Sequence, residues 1–212
     1  MIELDHLVIV APSLAEGVAH VRASLGLDMP YGGAHPEMGT RNHLLRLGED
    51  VFLEVISVDP DAPPPRGPRW FGMADAAAVR ADWEAGLRLR GFVARTRDLD
   101  GLLAAHGALL GRRTPVSRGE RSWDFAVRDD GAWPEGGAVP PVIDWGERGS
   151  PAKDMPDLGA RLRSFVLEHP DPASVRALHA AIGLTRGPDL RQGPVLRYRA
   201  GIATPAGLRV IS

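Results

Sequence analysis

The chain repeats one order of predicted elements three times, and this repetition constrains its fold more than any other feature. A strand, an amphipathic helix and further strands follow one another in three segments, approximately residues 1–60, 85–147 and 158–212. Segments of this length are typical of duplicated supersecondary units, because the repeats of solenoids are shorter and contact only their neighbours. The sequence therefore predicts repeated βαβββ modules.

The first strand shows a polar side chain where a core residue is expected. In the stretch "LDHLVIV", residues 4–10, alternation places Leu4 and His6 on one face and Asp5 on the other. Both faces are mostly apolar, which is typical of a strand inside a sheet. The question is what an imidazole does on the inner face of such a strand.

Composition excludes several classes of function. With 44% hydrophobic and 25% charged residues and a net charge of −2, the chain is predicted to be a globular protein that binds neither nucleic acid nor a membrane. It has no cysteine, so any metal site must use nitrogen and oxygen ligands. The opening "MIELDHLVIV" lacks the features of a signal peptide, which predicts a cytoplasmic location.

A second buried polar residue is predicted on the fourth strand. Glu54 shares a face with Phe52 and Ile56, and a buried carboxylate is costly unless it is paired, hydrogen-bonded or bound to a metal. If the first and fourth strands are neighbours, His6 and Glu54 converge on one concave face. They would then form part of a divalent metal site, or simply a hydrogen-bonded pair in the core.

Several segments together resemble the glyoxalase-like domain family of the vicinal oxygen chelate superfamily. They are "LDHLVIV", "GGAHPEMGTRNHLLRLG", "LEVISVDP", "PPVIDWG" and "IATPAGLRVIS". The resemblance implies an α+β fold over residues 1–212 as a single domain. In it, the modules form a curved, cup-shaped, mixed or antiparallel sheet with helices on its outer face. It also implies that His6 and Glu54 are metal ligands, with Glu54 also placed to move a proton as the catalytic residue.

The sequence departs from this family where further ligands are expected. The positions that correspond to His6 are Gly91 and Ser164, and neither is a good ligand. Asp144 in "VIDWG" would supply a third ligand if the second unit faces the first. The set His6, Glu54 and Asp144 would suit a divalent ion such as Zn, Mn, Fe or Ni.

If the third unit faces the first instead, a different pocket is expected. Arg209, which aligns with Glu54, would then lie opposite that carboxylate and form an ion pair or a clamp for a substrate carboxylate. Because the modules pair, three modules leave one without a partner in the same chain. The unpaired module would either cap a sheet edge or complete a homodimer.

Three further residues are candidates for binding a small molecule. His35 is predicted in a glycine-flanked loop, where a histidine is more often solvated. Asn42 and its neighbour His43 point in opposite directions, so at most one of them faces the cavity. Trp145 is predicted to be either a core residue or part of an apolar pocket wall.

Two functions remain open from the sequence. The first is a metal-dependent lyase, isomerase or dioxygenase acting on a small oxygen-rich substrate. The second is a non-catalytic protein that sequesters a small-molecule ligand, as resistance proteins of this superfamily do.

Overall fold

The computed structural model of the protein describes residues 1–212 and contains thirteen strands and four α-helices. The strands are β1 (Ile2–Val10), β2 (Tyr31–His35), β3 (Thr40–Arg46), β4 (Phe52–Val58), β5 (Leu89–Arg95), β6 (Arg112–Arg118), β7 (Arg121–Val127), β8 (Val142–Asp144), β9 (Arg161–His169), β10 (Leu184–Arg186), β11 (Asp189–Gln192), β12 (Arg197–Thr204) and β13 (Gly207–Ile211). The helices are α1 (Leu14–Leu25), α2 (Ala76–Glu84), α3 (Leu99–Leu110) and α4 (Pro172–Ala181).

Units one and two together form one curved sheet. Its strand order is β2-β3-β4-β1-β5-β8-β7-β6, with the first strands of the two units, β1 and β5, paired antiparallel at the centre. Each first strand lies parallel to the last strand of its own unit. The sheet curls until Gly33 in β2 lies against the side chain of Arg118 in β6. The predicted α+β fold with a cup-shaped mixed sheet is confirmed.

The third unit does not repeat this strand order. It forms a separate sheet in the order β11-β9-β12-β13, while β10 pairs with β1 of the large sheet. Its last strand pairs with β12 and not with its first strand, so "LRVIS" does not occupy the position of "LEVIS" in unit one. Phe165 of this second sheet packs edge-on against Phe92 on the outer face of the cup.

Two apolar layers cover the two faces of the large sheet. The outer layer lies beneath α1, α3 and the second sheet, and α1 contributes Val21 and Leu25 to it. This helix begins after Ser13, whose hydroxyl accepts the amide N–H of Glu16, and ends at Gly26 in a left-handed conformation. The inner layer fills the concave side of the cup and contains four tryptophans: Trp70, Trp123, Trp133 and Trp145.

The connection between units one and two crosses the concave side of the cup. Residues 59–75, which we call the strap, bring Trp70 and Phe71 into the inner layer. Phe71 stacks on Trp133 with ring centroids 4.5 Å apart. Its backbone is left-handed, with φ 58°, and such a conformation costs a non-glycine residue on the order of 1 kcal/mol. The stacking holds the strap in place against that cost. Among the helices, none combines the length and the apolar character needed to cross a lipid bilayer.

Candidate active site

A β-bulge in β1 places two polar residues on the concave side. Leu4 and His6 pair with consecutive residues of β5, so Asp5 is an extra residue in the ladder. Because of this bulge, Leu4 packs in the outer layer together with Leu7, while Asp5 and His6 both contact residues of the inner layer. The prediction that Leu4 and His6 share a face was wrong, since it assumed regular alternation.

Asp5 fixes the orientation of the His6 ring. Its carboxylate is fully buried and accepts hydrogen bonds from His6 Nδ1 at 2.7 Å and from Trp145 Nε1 at 2.9 Å. The His6 ring also stacks on Phe52, with centroids 4.5 Å apart. Together these contacts leave Nε2 of His6 to face Glu54.

Glu54 meets His6 from the neighbouring parallel strand β4. Glu54 Oε2 lies 3.4 Å from His6 Nε2, and Glu54 Oε1 accepts a 2.5 Å hydrogen bond from Asn42 Nδ2 on β3. Both side chains are almost entirely buried. Asn42 depends on Gly32 in β2, because a Cβ at that glycine would lie 2.3 Å from Asn42 Oδ1. Of the two residues with opposed directions, Asn42 therefore lies on the concave side beside Glu54 without lining the cavity, whereas His43 lies against the backbone of Met29.

The two carboxylates hold His6 in its charged form. Burial opposes protonation of this ring, but the hydrogen bonds and charges of Asp5 and Glu54 outweigh it and raise the pKa of His6 to about 9. Burial likewise opposes ionisation of Glu54, yet His6 and Asn42 lower the pKa of its carboxyl to about 2. At neutral pH the site contains an imidazolium between two carboxylates.

His35 is the neutral member of the cavity. It ends strand β2 and is buried, so the prediction that it lies in a loop was wrong. Burial is the main reason that the pKa of His35 falls to about 4. Its Nδ1 lies 3.1 Å from Thr40 Oγ1 and its Nε2 lies 3.5 Å from Asn42 Nδ2. A neutral ring satisfies both contacts by donating to Thr40 and accepting from Asn42.

Arg118 enters the same cavity, and no sequence motif marks it. It ends β6 near the rim of unit two, and only the curling of the sheet brings it close to unit one. Its guanidinium lies 5.7 Å from the ring of Trp123 and has no hydrogen bond or ion pair with the protein. Burial lowers the pKa of Arg118, and an arginine remains charged at neutral pH all the same.

These groups surround one small cavity of about 20 Å³. This volume suffices for about one water molecule. Its walls are formed by His6, His35, Phe52, Glu54, Trp70, Phe71, Arg118, Trp123, Phe125, Ile143 and Trp145. The charged groups meet on an otherwise aromatic surface beneath the strap.

Two of the predicted site residues lie elsewhere. Asp144 ends β8 and its side chain turns away from the cavity to accept the amide N–H of Gly146 at 2.9 Å. Arg209 is exposed on β13 of the second sheet, because that strand is not the counterpart of β4. Trp145 does line the cavity, and its indole N–H is held by Asp5.

The residues of the cup do not fit a resident divalent ion. No group of three or more His, Cys, Asp or Glu side chains is arranged to hold a metal. In unit two, the position aligned with His6 is Gly91, and a Cβ there would lie 2.7 Å from the ring of Trp133. An indole thus occupies the space in which a ligand side chain of the second unit would stand, and the second unit contributes no metal-ligating donor to the cavity.

The joined βαβββ units and the polar cavity on their concave side define a protein with a glyoxalase-like fold. The chain belongs to the glyoxalase-like domain family, whose sequence model matches residues 4–183. The resemblance seen in the sequence is therefore confirmed. A search of curated proteins found no match.

Several solved structures are similar to this chain at low sequence identity. A hypothetical protein from Staphylococcus aureus is 12% identical with a TM-score of 0.63, covering 93% of this chain and 88% of that one. Methylmalonyl-CoA epimerase from Mycobacterium tuberculosis is 13% identical with a TM-score of 0.43, covering 69% and 89%. A Streptomyces coelicolor methylmalonyl-CoA epimerase variant in complex with 2-nitronate-propionyl-CoA is 16% identical with a TM-score of 0.42, covering 70% and 96%.

Proposed function

We propose that the cup binds a small oxygen-bearing molecule and transfers a proton on it, with Glu54 as the base. The observation that carries this proposal is the buried ion pair of His6 and Glu54 on one small cavity. Glu54 is ionised at neutral pH, and it becomes a stronger base when an oxygen of the ligand takes over the hydrogen bond of His6 that holds its pKa low.

The proton transfer proceeds next to an oxygen of the ligand. A C–H bond adjacent to a carbonyl breaks, Glu54 takes the proton, and the electron pair moves onto the carbonyl oxygen. His6 supplies the positive charge that stabilises the resulting oxyanion. Return of the proton to another position gives an isomerase, and loss of a leaving group from the enolate gives a lyase.

Asp5 acts as a positioning residue in this mechanism. It holds Nδ1 of His6 and keeps the ring charged, so that Nε2 can donate towards Glu54 or the ligand. No step is routed through a metal, since no group of three or more His, Cys, Asp or Glu side chains is arranged to hold one.

The proposal can be tested without knowing the natural substrate. The protein is incubated in D₂O with 2-oxobutyrate or acetoacetate, and loss of the acidic C–H signal is followed by proton NMR. We expect Glu54→Gln to slow enzyme-dependent exchange about 100-fold or more. Asp144→Asn, which alters a carboxylate outside the cavity, is the matched control. Equal exchange by the wild type and Glu54→Gln would contradict the role of Glu54.

A second candidate function is sequestration of a small planar molecule without catalysis. The aromatic walls favour it, since Phe52, Phe125 and Trp145 offer ring surfaces to such a ligand. In this case His6 and Glu54 serve only as a buried pair. Binding that is unchanged in Glu54→Gln, together with no proton exchange in any probe, would favour this function.

A further inference from the structure

Three hydrogen-bond donors around the cavity have no acceptor in the protein. The indole nitrogens Nε1 of Trp70 and Trp123 are buried without a hydrogen-bond partner, and both rings line the cavity. The guanidinium of Arg118 is only partly buried, and it has no hydrogen bond or ion pair with the protein either. Buried donors without partners are rare in proteins, and they indicate a ligand or water that completes them.

The remaining polar groups of the cavity are already satisfied. The indole N–H of Trp145 donates to Asp5, and the carboxylate of Glu54 contacts both His6 and Asn42. Among the residues that line the cavity, the open hydrogen-bonding capacity therefore consists of donors, one of which carries a full positive charge. The nearby acceptor without a partner, Oδ1 of Asn42, lies against Gly32 and belongs to a residue that does not line the cavity. The chemical group that complements it has acceptors only and a negative charge.

We infer that Arg118, Trp70 and Trp123 form a recognition site for the carboxylate of the ligand. A carboxylate presents two planar acceptor oxygens, which suit an arginine together with neutral N–H donors. The inference names a small carboxylic acid as the substrate class. It rests on the proposed function only for the reaction of the bound acid, because binding of the carboxylate does not require proton transfer.

Trp70 links this recognition to the strap. Trp123 and Arg118 belong to the β6–β7 hairpin of unit two, whereas Trp70 comes from the strap. A bound carboxylate that accepts hydrogen bonds from Trp70 on one side and from Trp123 and Arg118 on the other links the strap to the wall of the cup. Any acid larger than the present cavity enters only when Trp70 and Phe71 move outwards, because the free volume corresponds to about one water molecule.

The indole N–H groups of the native protein give a direct test. The chain has five tryptophans, so a ¹H–¹⁵N spectrum resolves up to five indole signals, which single Trp→Phe variants assign. Acetate is titrated against acetamide, its neutral counterpart of the same size. We expect acetate to move the Trp70 and Trp123 signals downfield. The Trp83 signal, from α2, and the Trp145 signal, already bonded to Asp5, serve as controls.

Variants separate this inference from the proposed proton transfer. Arg118→Gln should weaken acetate binding about tenfold or more, because it removes a charged hydrogen-bond donor. Glu54→Gln should retain acetate binding even though it slows proton exchange. The inference is overturned if acetate leaves both indole signals unmoved, or if acetamide moves them equally. The titration of the native protein decides the matter even if a variant does not fold.

Discussion

The two halves of the cup have the same strand order but carry different chemistry. Unit one contributes a charged network centred on His6 and Glu54, whereas unit two contributes aromatic walls and the unpaired Arg118. The contrast is sharpest at the paired first strands, where β1 carries His6 and β5 carries Gly91 beneath the ring of Trp133. Duplication therefore explains the frame of the cup, and the site arises from how its halves diverged.

The charged groups are also divided unequally between the halves. In unit one, Asp5, His6 and Glu54 lie in direct contact, and Arg95 of unit two lies 3.8 Å from Asp5. Arg118 of unit two lacks a protein partner, and so it is the group that an anionic ligand would meet.

The largest expected effect on stability comes from removing the buried carboxylate of Asp5 in unit one. Asp5→Ala leaves His6 with a single counter-charge and Trp145 without an acceptor. Loss of one partner from a buried charged pair costs about 3–5 kcal/mol. We expect the free energy of unfolding, measured in urea, to fall by this amount.

Asp144→Ala in unit two is the matched control for this substitution. Its side chain accepts one backbone hydrogen bond in a turn, so its loss should cost about 1 kcal/mol. If both substitutions destabilise the protein equally, the charged network of unit one does not contribute the stability that its geometry implies.

The pH dependence of stability should be governed by unit one. The pKa of His6 is raised from 6.5 to about 9, so its contribution is complete below pH 6.5 and is lost as the pH rises through 9. At most it amounts to about 3 kcal/mol, because each pKa unit corresponds to about 1.4 kcal/mol. We expect the free energy of unfolding to fall over this alkaline range.

Asp5→Asn tests the assignment of the alkaline loss to His6. The variant removes the charge that holds the imidazolium, so NMR titration of the His6 ring should show a lower pKa and stability should fall at lower pH. An unchanged alkaline midpoint in Asp5→Asn would exclude His6 as the titrating group.

On the acid side, the pKa of His35 is depressed to about 4, so the stability of the protein is lost as the pH falls from 6.5 towards 4.

The His6–Glu54 pair could be predicted from the sequence because the alternation of two strands places both residues on the same face of the sheet. From His6 onwards β1 alternates regularly, β4 alternates throughout, and the two strands are neighbours as the order of elements suggested. Asp5 was placed on the wrong face because the bulge depends on pairing with β5, which no local pattern shows.

The groups of unit two were harder to predict because they depend on contacts between distant segments. Arg118 reaches the cavity only through curling of the sheet, and Trp70 only through the path of the strap. The sequence showed that Gly91 lacks a ligand side chain, but it could not show that an indole covers it. In the third unit, the first strand and the helix were predicted correctly. Its strand order differs from that of units one and two, since β13 pairs with β12 alone.

A smaller effect is expected from filling the space above β5. Gly91→Ala places a Cβ 2.7 Å from the ring of Trp133, which also stacks on Phe71 of the strap. Overpacking of this kind costs about 1–3 kcal/mol. Gly48→Ala is the control, because nothing lies within 4 Å of a Cβ at Gly48, and it should change stability by at most about 0.5 kcal/mol. Equal effects of the two substitutions would show that the Trp133 ring can move aside.

The smallest effect is expected from metal ions, and it bears most directly on the difference between the halves. Unit two offers no metal-ligating donor at the cavity, unit one arranges no group of three, and the raised pKa of His6 means that a metal must displace a proton from Nε2. Elemental analysis of protein purified without chelator should therefore find far less than one equivalent of Zn, Mn, Fe or Ni, with no change in His6→Ala. One equivalent of metal that disappears in a folded His6→Ala variant would return the site to the metal-assisted chemistry that the sequence suggested. In that event further ligands must come from groups that rearrange on binding, and Asp144 would have to turn away from Gly146 to be one of them.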